Sequence, residues 1–415
     1  MTVFDYQPTF NKTVLNNGVR IVTEHHPHTR ASCAAIYVVL GSRDEPKDLN
    51  GAAHFIEHLV FKGTKKRSAL DIVKDLEAVG GEINAYTTKE YTCFHATTLR
   101  ENLELSLDVL VDLVGGASFA QKDFDLERDV ISQEIAMSAD QLEEYIFDLY
   151  FENAYQGSKL GQPILGTEKS LSHISRKELF KYYNDHYISS NILVSVAGDV
   201  DHDEVVKFVQ KKLGQKYKRP PKKTRKSSQP KPFMKKIERT SEQVHVLLGY
   251  PTASFKDDER FESYLVNAVL GGGMTSRLYQ KIREKQALTY NVYSYLHAFT
   301  DSGLMMLYAA TTADKVKKVL NAFEREVNNL LDKRISSKEL MFFKKQIMGQ
   351  LLLGADDIEN RMNSIAVNEM VFGQYRPVET VIDEIQQVTP ESVDKFVKRY
   401  FNKTPGLILL GNYNV

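Results

Sequence analysis

The sequence has 415 residues, more than one ordinary hydrophobic core supports, so two or more domains are expected. Its 54 basic and 54 acidic residues balance, which argues against nucleic acid or an anionic membrane as a partner. There is no signal-peptide pattern and no apolar run of the roughly 18 residues that span a bilayer. Cys33 and Cys93 are too few for a disulfide framework. We therefore expect a cytoplasmic protein.

The first part of the chain mixes strand and helix patterns without strict alternation. Apolar runs predict strands over 34–40 and 91–97. Apolar residues at 3.6-residue spacing predict helices over 99–114 and 123–136. Such a mixture is typical of an α+β fold, with a mixed, largely antiparallel sheet packed with helices.

A metal-binding pattern lies at 54–58, where His54, Glu57 and His58 follow Gly51, a residue that can begin a helix. In a helix the two histidines lie one turn apart on one face, so both imidazoles can reach one Zn²⁺. Glu57 borders that face and could accept a proton from a water activated by the metal.

A catalytic zinc takes a third protein ligand, and the helix predicted over 123–136 offers Glu127 and Glu134 on one side. One of them can bind the metal, and the other can support a ligand or the base. The alternative is that these residues fell together by chance. Against chance, the corresponding positions of the second half have no such ligands and read Val266, Val269, Leu270 and Gln346.

The second half of the chain repeats the plan of the first about 214 positions later, as expected for an internal duplication. The helix and strand that follow His173 correspond to those that follow Val388. Between the halves, residues 215–233 form a basic, proline-rich stretch that is typical of a linker. We therefore predict a zinc-bearing domain over 1–214, a linker over 215–233 and a duplicated domain without the zinc motif over 234–415.

Two further patterns have simpler interpretations. His25, His26 and His28 form a cluster that could bind metal, but we expect a solvated turn between strands. Glycines 271–273 resemble a phosphate-binding loop, but no Gly-Lys-Ser/Thr follows, so we expect a flexible turn.

The pattern His-x-x-Glu-His, followed by Glu134, resembles the inverzincin zinc peptidases of the pitrilysin type. The length resembles that of their processing-peptidase branch. The resemblance extends over nearly the whole chain, including Phe61–Thr64, Gly80–Thr87, Glu127–Ile131, Pro163–Gly166 and Val196–Asp199.

This resemblance implies a role for each residue of the metal pattern. His54, His58 and Glu134 are expected to bind zinc, at one ion per chain because only one half has the ligands. Glu57 is expected to be the general base, with Glu127 as a supporting carboxylate. The implied activity is that of a zinc metalloendopeptidase.

The resemblance also implies how substrate is held. Arg283 and Tyr290 match an arginine–tyrosine pair that holds substrate, and Tyr290 would also stabilise the oxyanion. A peptide or unfolded polypeptide would add to an edge strand at Asn84, Ala85 and Tyr86. A homodimer, or a heterodimer with a related chain, would complete the enclosure. The alternatives are a non-catalytic structural or chaperone-like relative and a zinc-bound fold without hydrolysis.

Overall fold

The computed structural model describes residues 8–214 and 225–412. Its strands are β1 Thr9–Val14, β2 Arg20–His25, β3 Ala31–Val38, β4 Glu82–Thr87, β5 Thr92–Leu99, β6 Ile192–Gly198, β7 Phe233–Ile237, β8 Val244–Pro251, β9 Asn291–Ala298, β10 Gly303–Thr311 and β11 Gly406–Leu410. Its α-helices are α1 Ala52–Val60, α2 Ala69–Glu77, α3 Leu103–Gly116, α4 Gln121–Asp140, α5 Leu142–Ala154, α6 Glu168–His173, α7 Arg176–His186, α8 His202–Leu213, α9 Arg260–Gly271, α10 Val316–Asp332, α11 Ser337–Gly354, α12 Ile358–Phe372, α13 Val378–Gln387 and α14 Pro390–Phe401.

The strands form two sheets with the same plan. The first has the order β1-β2-β6-β3-β5-β4, and the second has the order β7-β11-β8-β10-β9. In both, one parallel pair (β2 with β6, β7 with β11) is followed by antiparallel pairs only. The repeated order and direction support the duplication inferred from the sequence.

The chain divides into two compact units that are not continuous in sequence. Unit 1 comprises Met1–Ile135, Gln162–Arg225 and Leu353–Arg376, of which 1–7 and 215–224 lie outside the described residues. Unit 2 comprises Ala136–Gly161, Lys226–Leu352 and Pro377–Val415, of which 413–415 lie outside them. Each unit therefore contains a segment from the opposite half of the sequence.

In unit 1 the sheet is covered on both faces. One face packs on the main core, which includes Phe55, Leu110 and Leu179 from α1, α3 and α7. The other face packs on α12, where Met362, Ile365 and Ala366 meet a smaller cluster of strand residues. Because β3 is buried on both sides, its sequence is apolar nearly throughout rather than alternating.

Unit 2 repeats this arrangement with a helix from the first half. One face of its sheet packs on α9, α10 and α14. The other packs on α5, whose Ile146 and Tyr150 lie against Leu247, Met306 and Ile408. The helices α5 and α12 therefore have matching positions in the two units, although each comes from the other half of the sequence.

The expected α+β fold with two duplicated parts is confirmed. The strands predicted over 34–40 and 91–97 are β3 and β5, and the helices predicted over 99–114 and 123–136 are α3 and α4, with ends displaced by a few residues. The compact units depart from the predicted division at 1–214 and 234–415 through the exchange of α5 and α12. Of the linker at 215–233, residues 215–224 lie outside the described residues, and 225–232 have neither helix nor strand.

Candidate metal centre and active site

The helix α1 has an apolar face and a polar face, and this division determines the side of the helix on which the two histidines lie. Phe55, Ile56 and Leu59 are fully buried in the core of unit 1. His54 and His58 lie on the opposite side, with their ring centroids 4.6 Å apart. The helix begins after Gly51, as expected from the sequence.

The third ligand candidate comes from α4. Oε2 of Glu134 lies 3.7 Å from Nε2 of His54 and 3.6 Å from Nε2 of His58. Ligand atoms of these three residues all lie within 4.8 Å of one another, and no other such group of His, Cys, Asp or Glu occurs in residues 8–214 and 225–412.

This donor set fits a zinc ion. Two atoms bound to zinc at about 2.0–2.1 Å in tetrahedral geometry lie about 3.4 Å apart, close to the distances from Glu134 to the two imidazoles. Burial and the neighbouring His58 lower the pKa of His54 to about 3, so its ring is neutral, as a metal ligand requires. Two imidazoles and one carboxylate leave a fourth position open, as in catalytic zinc sites.

Glu127 supports this centre from the buried face of α4. Its Oε2 accepts a hydrogen bond from Nδ1 of His58 at 2.9 Å, and its Oε1 lies 2.7 Å from Nζ of Lys62. The hydrogen bond leaves Nε2 of His58 free to face Glu134. Glu127 therefore has the position of a carboxylate that orients a ligand.

Glu57 lies beside the metal ligands and is held by a neighbouring strand. The Thr87 hydroxyl at the end of β4 donates a 2.5 Å hydrogen bond to Oε2 of Glu57. Burial raises the pKa of Glu57 above the ordinary glutamate value, and the hydrogen bond from Thr87 acts in the opposite direction. The net effect makes this carboxylate a stronger proton acceptor than an exposed one.

The site opens onto a groove in unit 1 with a volume of about 1070 Å³. One wall is β4, which is an edge strand of its sheet, as predicted. The lining residues are Glu57, His58, Phe61, Lys62, Val73, Glu77, Gly80, Gly81, Glu82, Ile83, Asn84, Ala85, Tyr86, His95, Thr97, Glu127 and Glu359. The predicted substrate strand and the predicted base thus share one cavity.

Arg283 and Tyr290 lie together in unit 2. The Arg283 guanidinium carbon is 4.4 Å from the centroid of the Tyr290 ring and 4.7 Å from that of Tyr279. Tyr290 is 78% exposed, so its hydroxyl is accessible. The role of the pair in substrate binding stays a prediction.

Several residues of the site were not singled out from the sequence. Thr87 donates a hydrogen bond to Glu57 and Lys62 forms an ion pair with Glu127, but nothing in the spacing of either residue indicates it. His95 had no usable partner spacing, yet it lines the groove 3.7 Å from Glu359 of α12. A contact between residues so far apart in sequence cannot be read from local pattern.

The expectation of a solvated turn at His25, His26 and His28 is wrong for His26. This residue is only 2% exposed, and its Nε2 lies 2.7 Å from Oε1 of the fully buried Glu24. The covering helix α12 encloses this end of β2, so a histidine that follows the strand is buried rather than solvated.

Comparison with known proteins identifies the family. The model for the insulinase family, peptidase family M16, matches residues 20–168, and that for the peptidase M16 inactive domain matches residues 173–347. The chain belongs to peptidase family M16. The inactive-domain match begins in the first half at residue 173 and extends through much of the half that lacks the metal pattern.

Full-length relatives carry the name zinc protease. An uncharacterized zinc protease of Mycobacterium leprae is 37% identical over 97% of this chain and 92% of the relative. One of Bacillus subtilis is 34% identical over 95% of this chain and 96% of the relative. The crystal structure of a protease from Helicobacter pylori superposes with a TM-score of 0.89 at 20% identity, covering 97% of this chain and all of that one, which supports the fold.

In the part of the chain that the structure describes, no helix is both long enough and apolar enough to cross a bilayer.

Proposed function

We propose that this chain is a zinc metalloendopeptidase that hydrolyses extended peptides. One observation carries the proposal. His54, His58 and Glu134 converge within 4.8 Å, and the Glu57 carboxylate beside them opens onto a groove walled by an edge strand. Membership of peptidase family M16 supports the same reaction class.

His54, His58 and Glu134 would hold one zinc ion per chain. A zinc ion so held supplies Lewis acidity, which lowers the pKa of a water molecule and polarises a peptide carbonyl. Glu127 keeps the ring of His58 in the orientation that presents Nε2.

Glu57 is the general base in this proposal. Its raised pKa favours uptake of the proton that the attacking water loses. The same carboxyl group then donates that proton to the leaving amine nitrogen. Thr87 keeps the carboxylate directed at the site through its hydrogen bond to Oε2.

Substrate would pair with β4 as an added strand. Main-chain hydrogen bonds from Asn84, Ala85 and Tyr86 give affinity that does not depend on the substrate sequence. Arg283 would bind a substrate carbonyl, and the Tyr290 hydroxyl would donate a hydrogen bond to the oxygen that becomes negative.

The test is Glu57→Gln, which keeps the side-chain shape and leaves the three ligands in place. We expect about one zinc per chain in both proteins, and a fall in peptide hydrolysis of roughly 10²-fold or more in the variant. Glu101→Gln, an exposed change outside the groove, is the matched control and should hydrolyse peptide like wild type. If wild type binds zinc but does not hydrolyse peptides, the result would instead favour the alternative that the chain is a non-catalytic relative.

A further inference from the structure

The loop before the metal-binding helix places a buried carboxylate at the start of that helix. We propose that Glu45 is a positioning residue for the metal centre, which sets zinc affinity by fixing the start of α1. The proposal rests on the proposed function for the identity of the metal. Glu45 does not line the groove among the described residues, so it acts through the helix rather than on substrate.

The contacts of Glu45 satisfy both of its oxygens. Oε1 accepts the backbone N–H of Ala53 at 2.6 Å. Oε2 accepts the backbone N–H of Gly51 at 2.8 Å and the side-chain amide of Asn50 at 3.1 Å. Glu45 is fully buried, so water cannot replace it as the acceptor for these groups.

The helix has no other side-chain cap at this end. Its N-cap residue is Gly51, which has no side chain to accept the free N–H groups of the first turn. Glu45 supplies that acceptor from outside the helix. Burial raises the pKa of Glu45 to about 8, and the backbone N–H groups of Ala53 and Gly51 act in the opposite direction, so both oxygens serve as hydrogen-bond acceptors whether or not the group is charged.

The start of α1 is also pressed against a second loop. Gly51 has φ of +96°, and a Cβ there would lie 2.8 Å from the carbonyl oxygen of Leu165 and 3.0 Å from Cα of Gly166. The Asn50 amide donates to the carbonyl oxygen of Pro163 at 2.9 Å as well as to Glu45. The helix start is therefore fixed between two loops, and the Asn50 amide connects Glu45 to the second of them.

This fixation matters for the metal because both imidazoles lie on α1, whereas Glu134 lies on α4. Ala53, which Glu45 holds, immediately precedes His54. A shift of α1 by about 0.5 Å would move both imidazoles relative to the third ligand, beyond the tolerance of a preorganised metal site.

The experiment compares two variants of the full-length chain in which a buried carboxylate becomes an amide. Glu45→Gln places an amide N–H₂ where an oxygen accepted a helix N–H. The control Glu24→Gln alters an equally buried carboxylate of unit 1 that is bound to Arg361 and His26 instead of α1. Zinc affinity is measured by competition with a chelator, and resistance to denaturant is measured on the same samples.

We expect Glu45→Gln to weaken zinc binding by roughly 10-fold or more, the range found for residues that orient metal ligands. Glu24→Gln should lose resistance to denaturant but keep wild-type zinc affinity. Wild-type zinc affinity in Glu45→Gln, or an equal loss in both variants, would overturn the proposal. If Glu45→Gln does not fold, Glu45→Asp, which shortens the side chain by one methylene, decides by the same criteria.

The zinc measurement separates this proposal from the proposed function. Wild type that binds zinc without cleaving peptides would refute the peptidase but leave the comparison of zinc affinities valid. If wild type binds zinc and cleaves peptides while Glu45→Gln keeps wild-type zinc affinity, only the positioning role is refuted. A second readout is kcat at saturating zinc, which should fall in Glu45→Gln with little change in KM because the groove is intact.

Discussion

At the scale of single residues, Glu127 shows how the site combines burial with charge. It is 2% exposed, yet His58 and Lys62 each contact one of its oxygens. A buried carboxylate is tolerated only when it is paired and hydrogen-bonded. Its burial on the packed face of α4 therefore depends on Lys62 and on His58, the candidate zinc ligand that connects it to the metal centre.

Glu127→Gln should weaken zinc binding by about 10–100-fold, as for other carboxylates that hold a metal-binding histidine. The amide can still accept from Nδ1 of His58, but without its negative charge. Chelator competition measures the change. Asp112→Asn is the control, because Asp112 is a buried carboxylate of the same unit that is bound to Arg67 and Thr64. Equal zinc affinity in both variants would contradict the supporting role.

The residue scale also separates what the sequence could predict from what it could not. His54, Glu57 and His58 could be predicted because helical spacing alone places them together, and Glu134 because it lies seven residues after Glu127 on a predicted helix and matches the family motif. Thr87 was not found as the partner of Glu57, because the contact joins a strand to a helix. Glu45 had no signal, since its role depends on how a loop folds back onto α1.

At the scale of elements, α12 is attached to the sheet of unit 1 by a buried ion pair. Arg361 donates two hydrogen bonds of 2.7 Å to the Glu24 carboxylate on β2. Burial alone would raise the pKa of Glu24, but the hydrogen bonds from Arg361 and His26 outweigh it and hold the pKa at about 2.

This pair makes the attachment of α12 dependent on pH. Because the pKa of Glu24 is lower in the folded state, its stabilisation is complete above the ordinary value of 4.5 and is lost as the pH falls from there towards 2. The full contribution is on the order of 3 kcal/mol. Wild type should exceed Glu24→Gln in denaturant midpoint at pH 6, and the difference should shrink at pH 3.

The measurement is made with a chelator present, so that loss of zinc at low pH does not contribute. Arg361→Met should be destabilised at pH 6 by about 3–5 kcal/mol, because it removes the cation that neutralises the buried Glu24 charge. If the difference in denaturant midpoint between wild type and Glu24→Gln stays constant from pH 6 to pH 3, the assigned direction of the pKa shift is contradicted.

The exchange of α5 and α12 could not be predicted from the sequence. Both helices have apolar faces that any open sheet face could bury, and their local patterns do not specify which sheet. Neither helix was predicted from the sequence. The partner sheet is decided by contacts such as Glu24 with Arg361, which are far apart in sequence.

At the scale of the whole molecule, the site raises the question of how substrate is enclosed. We propose that two copies of this chain form a homodimer in which Arg283 and Tyr290 of one copy serve the zinc site of the other. A two-fold dimer makes two equivalent sites with one self-complementary interface, and enclosure of the peptide excludes water from the reaction. The exposed Tyr290 hydroxyl is compatible with such a role.

Complementation tests this arrangement. Glu57→Gln and Tyr290→Phe, each inactive alone, are mixed and allowed to exchange subunits. If the pair acts on the other copy, each mixed dimer has one site with both changes and one intact site, so about half the wild-type activity per mixed dimer returns. No recovery despite demonstrated exchange would show that the pair acts within its own chain, and an active monomer would exclude the dimer.

The interleaved units have a consequence for how this protein is made. Once the ribosome has passed Arg225, the face of the first sheet that includes Val22 and Ala35 still lacks α12. Roughly 150 further residues must emerge before that helix is complete, on the order of 10 s at ordinary translation rates. Until then the nascent chain exposes an apolar surface that a chaperone could cover. The groove also lacks the wall that contains Glu359, so a complete active site forms only when synthesis is nearly finished.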